Sequence, residues 1–424
     1  MKVSVLGLGY VGFPLYCALS KNTKHELVGF ELSKSKIDLI NQGISPVDDE
    51  QAEKDIKKLK NIKVSNNDAI LDSSDIYIVC VPTPVIGGYT PDLEPVKSAV
   101  RIISKYLKKG QIIIIESTIN PGVCDEIVIP LAEELTSLKA GVDFDVAHCP
   151  ERINPGDPVW NVYNIPRNIG STRPEATKKA ADLYREAISG EINEMPNLKT
   201  TEATKIIENT FRDINIAFVN ELAKSFDVLG INLDVVIKAA SNKPFAFMAH
   251  YPSCGVGGHC IPVDPYYLIE RAKLSGFDHK FLKLAREINN SMPEYTIDLL
   301  SDKLNEIEKS IKGTSIGLIG LSYKADVGDL RESPSLEIKE LLLKKGAKLE
   351  IWDPYFLNMS TCQTLEELLQ KSDAIVIATN HKVLKNLKLN DLLDNNVKVV
   401  IDGKNCLSQD IYSSNKLIYK GIGR

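Results

Sequence analysis

The chain has 424 residues, of which 43% are hydrophobic and 25% are charged, and its formal net charge is −5. This length exceeds what one hydrophobic core organises, so two or three globular domains are expected. The negative charge does not favour a nucleic-acid or membrane-surface partner, and no apolar run reaches the roughly 18 residues of a membrane span, so we expect neither partner.

The first residues and the cysteines favour the cytoplasm. The start, MKVSVLGLGYVG, has an apolar run that is too short and too glycine-broken for a secretory signal. The eight cysteines show no Cys-x-x-Cys spacing. We therefore expect reduced thiols in a reducing compartment.

The first segment alternates strand-like and helix-like stretches, which favours an α/β fold with a parallel sheet. A strand in KVSVLGLG precedes a helix that opens in YVGFPLYCALSK. Further strands are predicted in HELVGFELS, DIYIVCVPTP, GQIIIIESTINPG and FDVAHCPERINPGD. We expect residues 1–195 to form this domain.

A glycine motif lies between the first strand and the first helix. Gly7, Gly9 and Gly12 form G-x-G-x-x-G, which permits a tight turn and places a pyrophosphate on the helix N-terminus. Glu31 closes the second strand about 20 residues on, where a carboxylate can bind both ribose hydroxyls, so NAD is favoured over NADP. The alternative is a glycine turn without a ligand. Lys36 is the nearby cation that an NADP enzyme could use.

Two threonines lie just beyond strand ends of this domain, Thr83 in VPTP and Thr118 in EST. Ligands of such sheets bind at the carboxyl ends of the strands. A hydroxyl in a turn can equally satisfy local backbone groups. Position alone leaves both functions open.

The middle of the chain is helical. Apolar positions recur at helical spacing from Glu202 to Leu229 without an interior Gly or Pro, and Gly230 is a plausible C-cap. The spacing predicts a helix of about 28 residues and about 40 Å, which could join two lobes or pair with its copy in a dimer. A second helical stretch runs to about residue 308, so the predicted middle domain spans 196–308.

Two polar residues interrupt one face of this helix. Lys205 and Asn209 are four residues apart and therefore share a face. Helix interiors disfavour Asn, so a polar pair on an apolar face suggests a site. A solvated lysine is the alternative.

A cysteine ends the glycine-rich run PSCGVGGHCIPVDPYY. Gly255, Gly257 and Gly258 precede Cys260, and glycines let backbone or ligand approach closely. No second Cys/His pair has metal-ligand spacing. An inert buried thiol and a nucleophile remain, and a nucleophile needs a stabilised thiolate. His259 is adjacent, but neighbouring side chains often point apart, so we do not expect it to be the base.

The last segment repeats the first in outline. TSIGLIGLSYK, AKLEIWDP, DAIVIATN and VKVVIDGKN follow the order of the first strands, which predicts a second Rossmann-like domain over 309–424. Lys324 and Arg331 lie in SYKADVGDLRESP, where the first half carries its glycine loop. These cations could bind a diphosphate, or they could form a solvated salt bridge within the loop.

Taken together, the motifs resemble the UDP-glucose/GDP-mannose dehydrogenase family of nucleotide-sugar 6-dehydrogenases over essentially the whole chain. The matching stretches are GLGYVG, VPTP, ESTINPG, PERINPGD, TKIIENTFRDINIAFVNE, GVGGHCIPVDP, YKADVGDLRESPS and IWDP. The resemblance implies two Rossmann-like, doubly wound domains joined by a helical middle domain with a long central helix. The first domain would bind NAD and the last the UDP-sugar, and the central helix would form a homodimer.

The resemblance also assigns residues, and the ligand spacing noted above leads us to expect no metal. The catalytic set that the resemblance implies is Cys260, Lys205, Asn209, Asp264, Glu151 and Thr118. The cofactor set is Gly7, Gly9, Tyr10, Val11, Gly12, Glu31, Lys36, Thr83, Thr118 and Arg331. The substrate set is Glu151, Arg152, Lys205, Asn209, Arg212, Gly257, Tyr323 and Lys324.

The implied chemistry is a four-electron oxidation of a C6 alcohol to a uronic acid. Cys260 would trap the aldehyde as a thiohemiacetal and then carry a thioester. Lys205 and Asn209 would hold the reacting oxygen, and Asp264 would be the acid of the C-x-x-x-D pattern. Lys205 or a water held by Asp264 would take the hydroxyl proton, and a water oriented by Glu151 or Asp264 would release the carboxylate.

The substrate can be narrowed. Arg212, three residues after Asn209, is similar to the residue at this position in UDP-N-acetylhexosamine dehydrogenases, which act on UDP-GlcNAc or UDP-ManNAc. The acetamido oxygen of such a sugar needs a hydrogen-bond donor, which an arginine supplies. UDP-glucose 6-dehydrogenase and a non-catalytic nucleotide-sugar-binding protein are the alternatives. NKPFAFMAHYP lacks the Arg that many relatives place before the glycine loop, and His250 and Lys243 are the candidates to replace it.

Overall fold

The structure is a computed structural model that describes residues 1–86, 90–153 and 159–424. Part of the PERINPGD stretch, residues 154–158, lies outside the described residues. The chain forms two compact units. The first contains residues 1–208 and 266–276, and the second contains residues 209–265 and 277–424.

Both units contain β-strands that alternate with helices along the chain. The strands are β1 (Lys2–Leu6), β2 (Glu26–Phe30), β3 (Val64–Ser65), β4 (Ile76–Val79), β5 (Val85–Ile86), β6 (Thr90–Pro91), β7 (Ile112–Ile115), β8 (Asp145–His148), β9 (Arg167–Ser171), β10 (Ile192–Glu194), β11 (Ser315–Ile319), β12 (Lys348–Trp352), β13 (Ala374–Ile377), β14 (Val399–Asp402) and β15 (Ile418–Gly421).

The helices alternate with these strands and fill the middle of the chain. They are α1 (Gly12–Asn22), α2 (Lys34–Asn41), α3 (Glu50–Ile56), α4 (Glu94–Ser104), α5 (Ile129–Thr136), α6 (Pro174–Ala187), α7 (Leu198–Leu229), α8 (Leu233–Ala240), α9 (Asp264–Leu274), α10 (Lys280–Asn290), α11 (Met292–Asn305), α12 (Pro334–Lys344), α13 (Leu365–Gln370), α14 (Leu389–Asp394) and α15 (Gln409–Tyr412).

The first unit is built on an eight-stranded sheet in the order β10-β9-β8-β7-β4-β1-β2-β3. Alternate residues of its central strands enter different cores. Ile112 and Ile114 pack with α1 and α6, whereas Ile113 and Ile115 pack with α4 and α5. Because successive side chains of a strand point to opposite faces, helices cover both faces of this sheet.

Two strands depart from the predicted parallel sheet, because β10 pairs in parallel with a β9 that is itself reversed. β9 pairs with β8 in the antiparallel direction, with Ala147 opposite Ser171 and His148 opposite Gly170. The residues of β9 carry no local signal of strand direction, so the sequence prediction missed this reversal. As a result, Arg167 at the start of β9 lies beside the carboxyl end of β8.

The long helix of the middle segment is confirmed. It runs from Leu198 to Leu229, which is 32 residues or about 48 Å. It ends before Gly230, whose φ of +67° is the left-handed conformation of a C-cap glycine. The helix begins four residues before the predicted start at Glu202.

The second unit contains the predicted repeat. Its five-stranded sheet has the order β12-β11-β13-β14-β15 and is parallel throughout. The expected α/β class, with Rossmann-like domains at both ends and a helical middle, is confirmed. No helix in the described ranges combines the length and apolarity that a bilayer crossing requires.

Candidate functional site

The three glycines of the G-x-G-x-x-G motif in the first unit have different local environments. Gly7 has a φ of +87°, and a Cβ there would lie 2.8 Å from the Cys80 carbonyl oxygen. A Cβ on Gly12 would lie 2.0 Å from the Gly7 carbonyl oxygen, so α1 can start this close to β1 only with glycine. A Cβ on Gly9 would meet nothing within 4 Å. The loop is therefore packed at two glycines and open at the third, which fits a pyrophosphate at the α1 N-terminus. Beside it, the side chain of Tyr10 is exposed and that of Val11 is half-buried.

The Glu31 carboxylate is tied to this loop. One oxygen accepts the Leu8 N–H at 2.8 Å, and the other accepts the Ser33 N–H at 2.9 Å. Ser33 in turn caps α2, with its hydroxyl oxygen 3.5 Å from the Lys36 backbone nitrogen. Each carboxylate oxygen has a further lone pair, so Glu31 keeps acceptor capacity for a ribose hydroxyl.

The two threonines differ. Thr83 is buried, its hydroxyl donates to the Thr118 carbonyl at 2.8 Å, and its own carbonyl accepts the Tyr267 hydroxyl at 2.5 Å. This is the turn-stabilising function that the sequence left open. Thr118 itself is half-buried.

Glu151 is held from both sides. Its Oε1 accepts the backbone N–H groups of Arg152 at 2.6 Å and Ile153 at 2.8 Å, and its Oε2 pairs with Arg167 at 2.5 Å. The Arg152 guanidinium, a predicted substrate contact, is bound within the unit to Glu208 at 2.7 Å. The sequence prediction did not anticipate either ion pair.

Lys205 is buried, with 8% of its surface exposed. Lysine is rarely buried unless it is paired. Within the described part of the first unit, its ammonium forms no ion pair with a carboxylate. A buried ammonium of this kind can form an ion pair with a ligand group that carries a negative charge.

In the second unit, Cys260 is the exposed cysteine of the eight, and none of the eight forms a disulfide bond. Its carbonyl accepts the Asp264 N–H at 2.8 Å, which sets the two residues one turn apart at the start of α9. Asn209 Nδ2 donates to Asp264 Oδ2 at 2.5 Å. The structure therefore brings together three predicted catalytic residues, Cys260, Asp264 and Asn209. Burial lowers the pKa of the neighbouring His259, and the charge of Arg331 acts in the same direction.

Close packing against another loop explains why glycines precede the Cys260 thiol. A Cβ on Gly257 would lie 2.6 Å from Tyr323 Cβ, and one on Gly258 would lie 2.7 Å from Tyr323 Cε2. The Gly258 N–H also donates to the Arg331 carbonyl at 3.0 Å. Here the glycines admit the backbone of another loop, the one that follows β11.

The cations of that loop have different environments. Arg331 is exposed, and its Nη2 pairs with Asp329 Oδ2 at 2.6 Å, which is the loop salt bridge left open by the sequence. Lys324 is half-buried. Arg212 is exposed on α7, and Lys243 and His250 lie in the segment before the glycine loop, where Lys243 stacks on Phe245.

A buried polar network that the sequence prediction missed supports the thiol loop. Asn220 accepts the Ser253 N–H at 2.9 Å and donates to Asn289 at 2.9 Å. Asn289 donates to Asp213 at 2.8 Å, and Arg286 pairs with Asp213 at 2.5 Å. The signal available was the presence of Asp213 and Asn220 within the apolar pattern of α7.

Among the described residues, no group of three or more His, Cys, Asp or Glu side chains is arranged to hold a metal ion.

Three family models cover most of the chain. Residues 1–188 match the NAD binding domain of the UDP-glucose/GDP-mannose dehydrogenase family, residues 199–291 match its central domain, and residues 317–409 match its UDP binding domain.

Individual relatives are similar over the full length. A UDP-N-acetyl-D-mannosamine dehydrogenase from Pyrococcus horikoshii is 35% identical, with 100% of this chain and 99% of the relative aligned. A UDP-N-acetyl-D-glucosamine 6-dehydrogenase from Pseudomonas aeruginosa is 35% identical, with 97% and 98% aligned. The solved structure of a UDP-D-ManNAc dehydrogenase from Pyrococcus horikoshii matches with a TM-score of 0.93 at 35% identity, covering 100% of this chain and 99% of that one. The chain therefore belongs to the UDP-glucose/GDP-mannose dehydrogenase family.

Proposed function

We propose that this chain is an NAD-dependent UDP-N-acetylhexosamine 6-dehydrogenase that oxidises the C6 alcohol of UDP-GlcNAc or UDP-ManNAc to the carboxylate. The observation that carries the proposal is the exposed Cys260 thiol, one turn from an Asp264 that is hydrogen-bonded to Asn209. The substrate class is supported by relatives named for UDP-N-acetyl-D-mannosamine and UDP-N-acetyl-D-glucosamine.

The first unit fits a dinucleotide. The open space at Gly9 would take the pyrophosphate, and the Glu31 carboxylate would accept from the adenosine ribose. NAD, when bound, accepts a hydride in each of the two oxidations.

The chain's own residues manage protons and the covalent intermediate. A water oriented by Asp264 takes the hydroxyl proton, and the Lys205 ammonium stabilises the negative charge that this leaves on the C6 oxygen. Loss of the first hydride from C6 then converts the alkoxide to the aldehyde. The Cys260 sulfur then forms a C–S bond to the aldehyde. Loss of a second hydride from carbon, together with loss of the hydroxyl proton, converts this thiohemiacetal to a thioester. Water oriented by Glu151 adds to the thioester and the C–S bond breaks. This step regenerates the Cys260 thiol and releases the carboxylic acid.

We expect two NADH per sugar acid formed, with UDP-GlcNAc or UDP-ManNAc preferred over UDP-glucose. The reason for the preference is that Arg212 can donate to the acetamido oxygen, which glucose lacks. Steady-state assays with all three sugars, combined with mass spectrometry of the product, measure both quantities. One NADH per sugar would show that the aldehyde escapes, and a preference for UDP-glucose would contradict the function of Arg212. The absence of any turnover would favour the non-catalytic alternative.

We also propose a homodimer through the central helix. On α7, Phe211 and Phe218 are seven residues apart and about half exposed, and Phe281 and Leu284 of α10 are exposed as well. The segment 241–249 is exposed throughout and contains Phe245 and Met248. Apolar surface of this kind, rimmed by polar residues, is typical of an interaction surface.

Replacing Phe218 with glutamate should convert the dimer to a monomer, because a buried unpaired carboxylate in an apolar interface is strongly unfavourable. Analytical ultracentrifugation measures the mass. The matched control is Leu343→Glu, which places the same charge at an exposed leucine of α12. If Phe218→Glu sediments like the unmodified protein and like the control, the α7 interface is refuted.

We assign the reaction to the cytoplasm. The eight cysteines form no disulfide, and burial raises the pKa of several of them, including Cys17 and Cys149 to about 12. Thiols that remain reduced fit a reducing compartment.

A further inference from the structure

A fully buried arginine lies between two carboxylates in the first unit. Arg167 Nη1 is 3.0 Å from Glu116 Oε1, and Arg167 Nη2 is 2.5 Å from Glu151 Oε2. The Tyr184 hydroxyl also donates to Glu116 Oε1, and the Arg167 guanidinium lies 5.4 Å from the centroid of the Tyr184 ring. Arg167, Glu116 and Tyr184 are each at most 1% exposed.

The reversal of β9 explains how this arginine reaches its place. Ligands of parallel sheets bind at the carboxyl ends of the strands, where Glu116 follows β7 and Glu151 follows β8. Arg167 is the first residue of β9, so a parallel β9 would put it at the opposite edge of the sheet. The antiparallel pairing puts it beside the two carboxylates.

The groups around Arg167 come from every neighbouring element. Glu116 follows β7 and Glu151 follows β8, Tyr184 lies on α6, and Cys80 and Cys149 follow β4 and β8. Burial raises the pKa of the Glu116 carboxyl to about 7, and the Arg167 charge opposes that shift. Burial likewise raises the pKa of the Cys80, Cys149 and Tyr184 side chains, so these three stay neutral. Arg167 is therefore the positive partner of the Glu151 carboxylate.

The contacts restrict how Glu151 can accept a proton. Its Oε1 already accepts two backbone N–H groups, which occupy both of its lone pairs, and its Oε2 accepts one N–H from Arg167. With respect to the described residues, one lone pair remains, on Oε2, and its direction is set by the guanidinium. Glu151 is 7% exposed, in contrast to the fully buried Arg167.

Stability alone does not explain such a cluster. Replacing a buried ion pair with packed apolar side chains is often neutral or stabilising, because desolvation offsets the attraction. A fixed carboxylate lone pair is, in contrast, what a residue that orients water requires.

We propose that Arg167, anchored by Glu116 and Tyr184, is a positioning residue that aims the free lone pair of Glu151 at the water that releases the product. This inference rests on the proposed function and deepens it by naming the group through which Glu151 acts. Arg167 itself touches no reacting atom.

A double-mutant cycle tests this coupling, with Glu151→Gln, Arg167→Met and the combined variant measured for acid formation. Glu151→Gln should lower kcat by about 10²–10⁴-fold. Arg167→Met should lower kcat by about 10²-fold, with the KM values for UDP-sugar and NAD retained. The combined variant should be no slower than Glu151→Gln alone, because both changes remove one function.

Two further variants separate positioning from folding. Arg167→Lys keeps the cation and should recover part of the lost kcat, which also covers the case in which Arg167→Met does not fold. Arg173→Met is the matched control, since Arg173 binds Asp145 at 2.8 Å, away from Glu151. It should leave kcat unchanged and add nothing to Glu151→Gln.

The outcomes are distinguishable. If Arg167→Met multiplies the loss caused by Glu151→Gln, or leaves acid formation at the unmodified rate, the positioning inference is overturned while the proposed function stands. If Glu151→Gln forms acid at the unmodified rate, the proposed use of Glu151 and this inference both fail. If the unmodified protein oxidises none of the UDP-sugars, the proposed function itself fails.

Discussion

Replacing Cys260 with serine should abolish formation of the sugar acid while leaving NAD binding intact. A serine hydroxyl is a far weaker nucleophile than a thiolate, so the aldehyde is no longer captured and the thioester cannot form. Loss of an attacking group of this kind lowers kcat by at least roughly 10⁴-fold. The glycine loop that binds NAD lies in the first unit, whereas Cys260 belongs to the second.

Two measurements establish this result. Mass spectrometry follows alcohol, aldehyde and acid, and isothermal titration calorimetry measures NAD affinity. The matched control is Cys406→Ser, because Cys406 is a free, half-buried cysteine of the same unit and burial raises its pKa. Full acid production by Cys260→Ser would rule out the covalent route.

Replacing Asp213 with alanine should destabilise the second unit by about 3–5 kcal/mol, the typical cost of removing one partner of a buried ion pair. The substitution would leave the Arg286 guanidinium buried without its carboxylate, since Arg286 is 3% exposed and Asp213 is 0% exposed. It would also remove the side-chain acceptor of Asn289, which keeps its hydrogen bond to the Asp213 backbone carbonyl.

Thermal unfolding measures this change, which corresponds to a drop in Tm on the order of 10 °C. Asp278→Ala is the control of the same chemistry, because Asp278 pairs with Lys283 and both side chains are exposed. Exposed pairs contribute about 0–1 kcal/mol, so the control should shift Tm little. Equal shifts for the two variants would show that burial of the Asp213 pair is not decisive.

The elements that the sequence predicted well are those with a local signal. The four consecutive isoleucines of β7 are buried on both faces, and the apolar spacing of α7 continues to the glycine that ends it. The reversal of β9 has no such signal. Strand direction depends on pairing with a neighbour, and Arg167 meets Glu116 across 51 residues of sequence.

The sequence likewise indicated some residues of the candidate site and left the functions of others open. Local signals singled out Cys260 and Asn209 as candidates, because a thiol after glycines and a polar residue on an apolar helix face are unusual, whereas Asp264 was a candidate through the family resemblance. Sequence reasoning left two functions open for Thr83 and Arg331, since a hydroxyl or a guanidinium can serve either a ligand or its own loop. Only the packed structure shows that Thr83 donates to a backbone carbonyl and that Arg331 pairs with Asp329.

The contact between the thiol loop and Tyr323 has a mechanical consequence. Gly257 and Gly258 place backbone directly against the Tyr323 side chain, with no intervening methyl group that could be compressed or rotated away. Close-packed groups transmit a displacement instead of absorbing it. The loop that carries the Cys260 sulfur therefore packs directly against the loop after β11, so a displacement of one of these loops shifts the other.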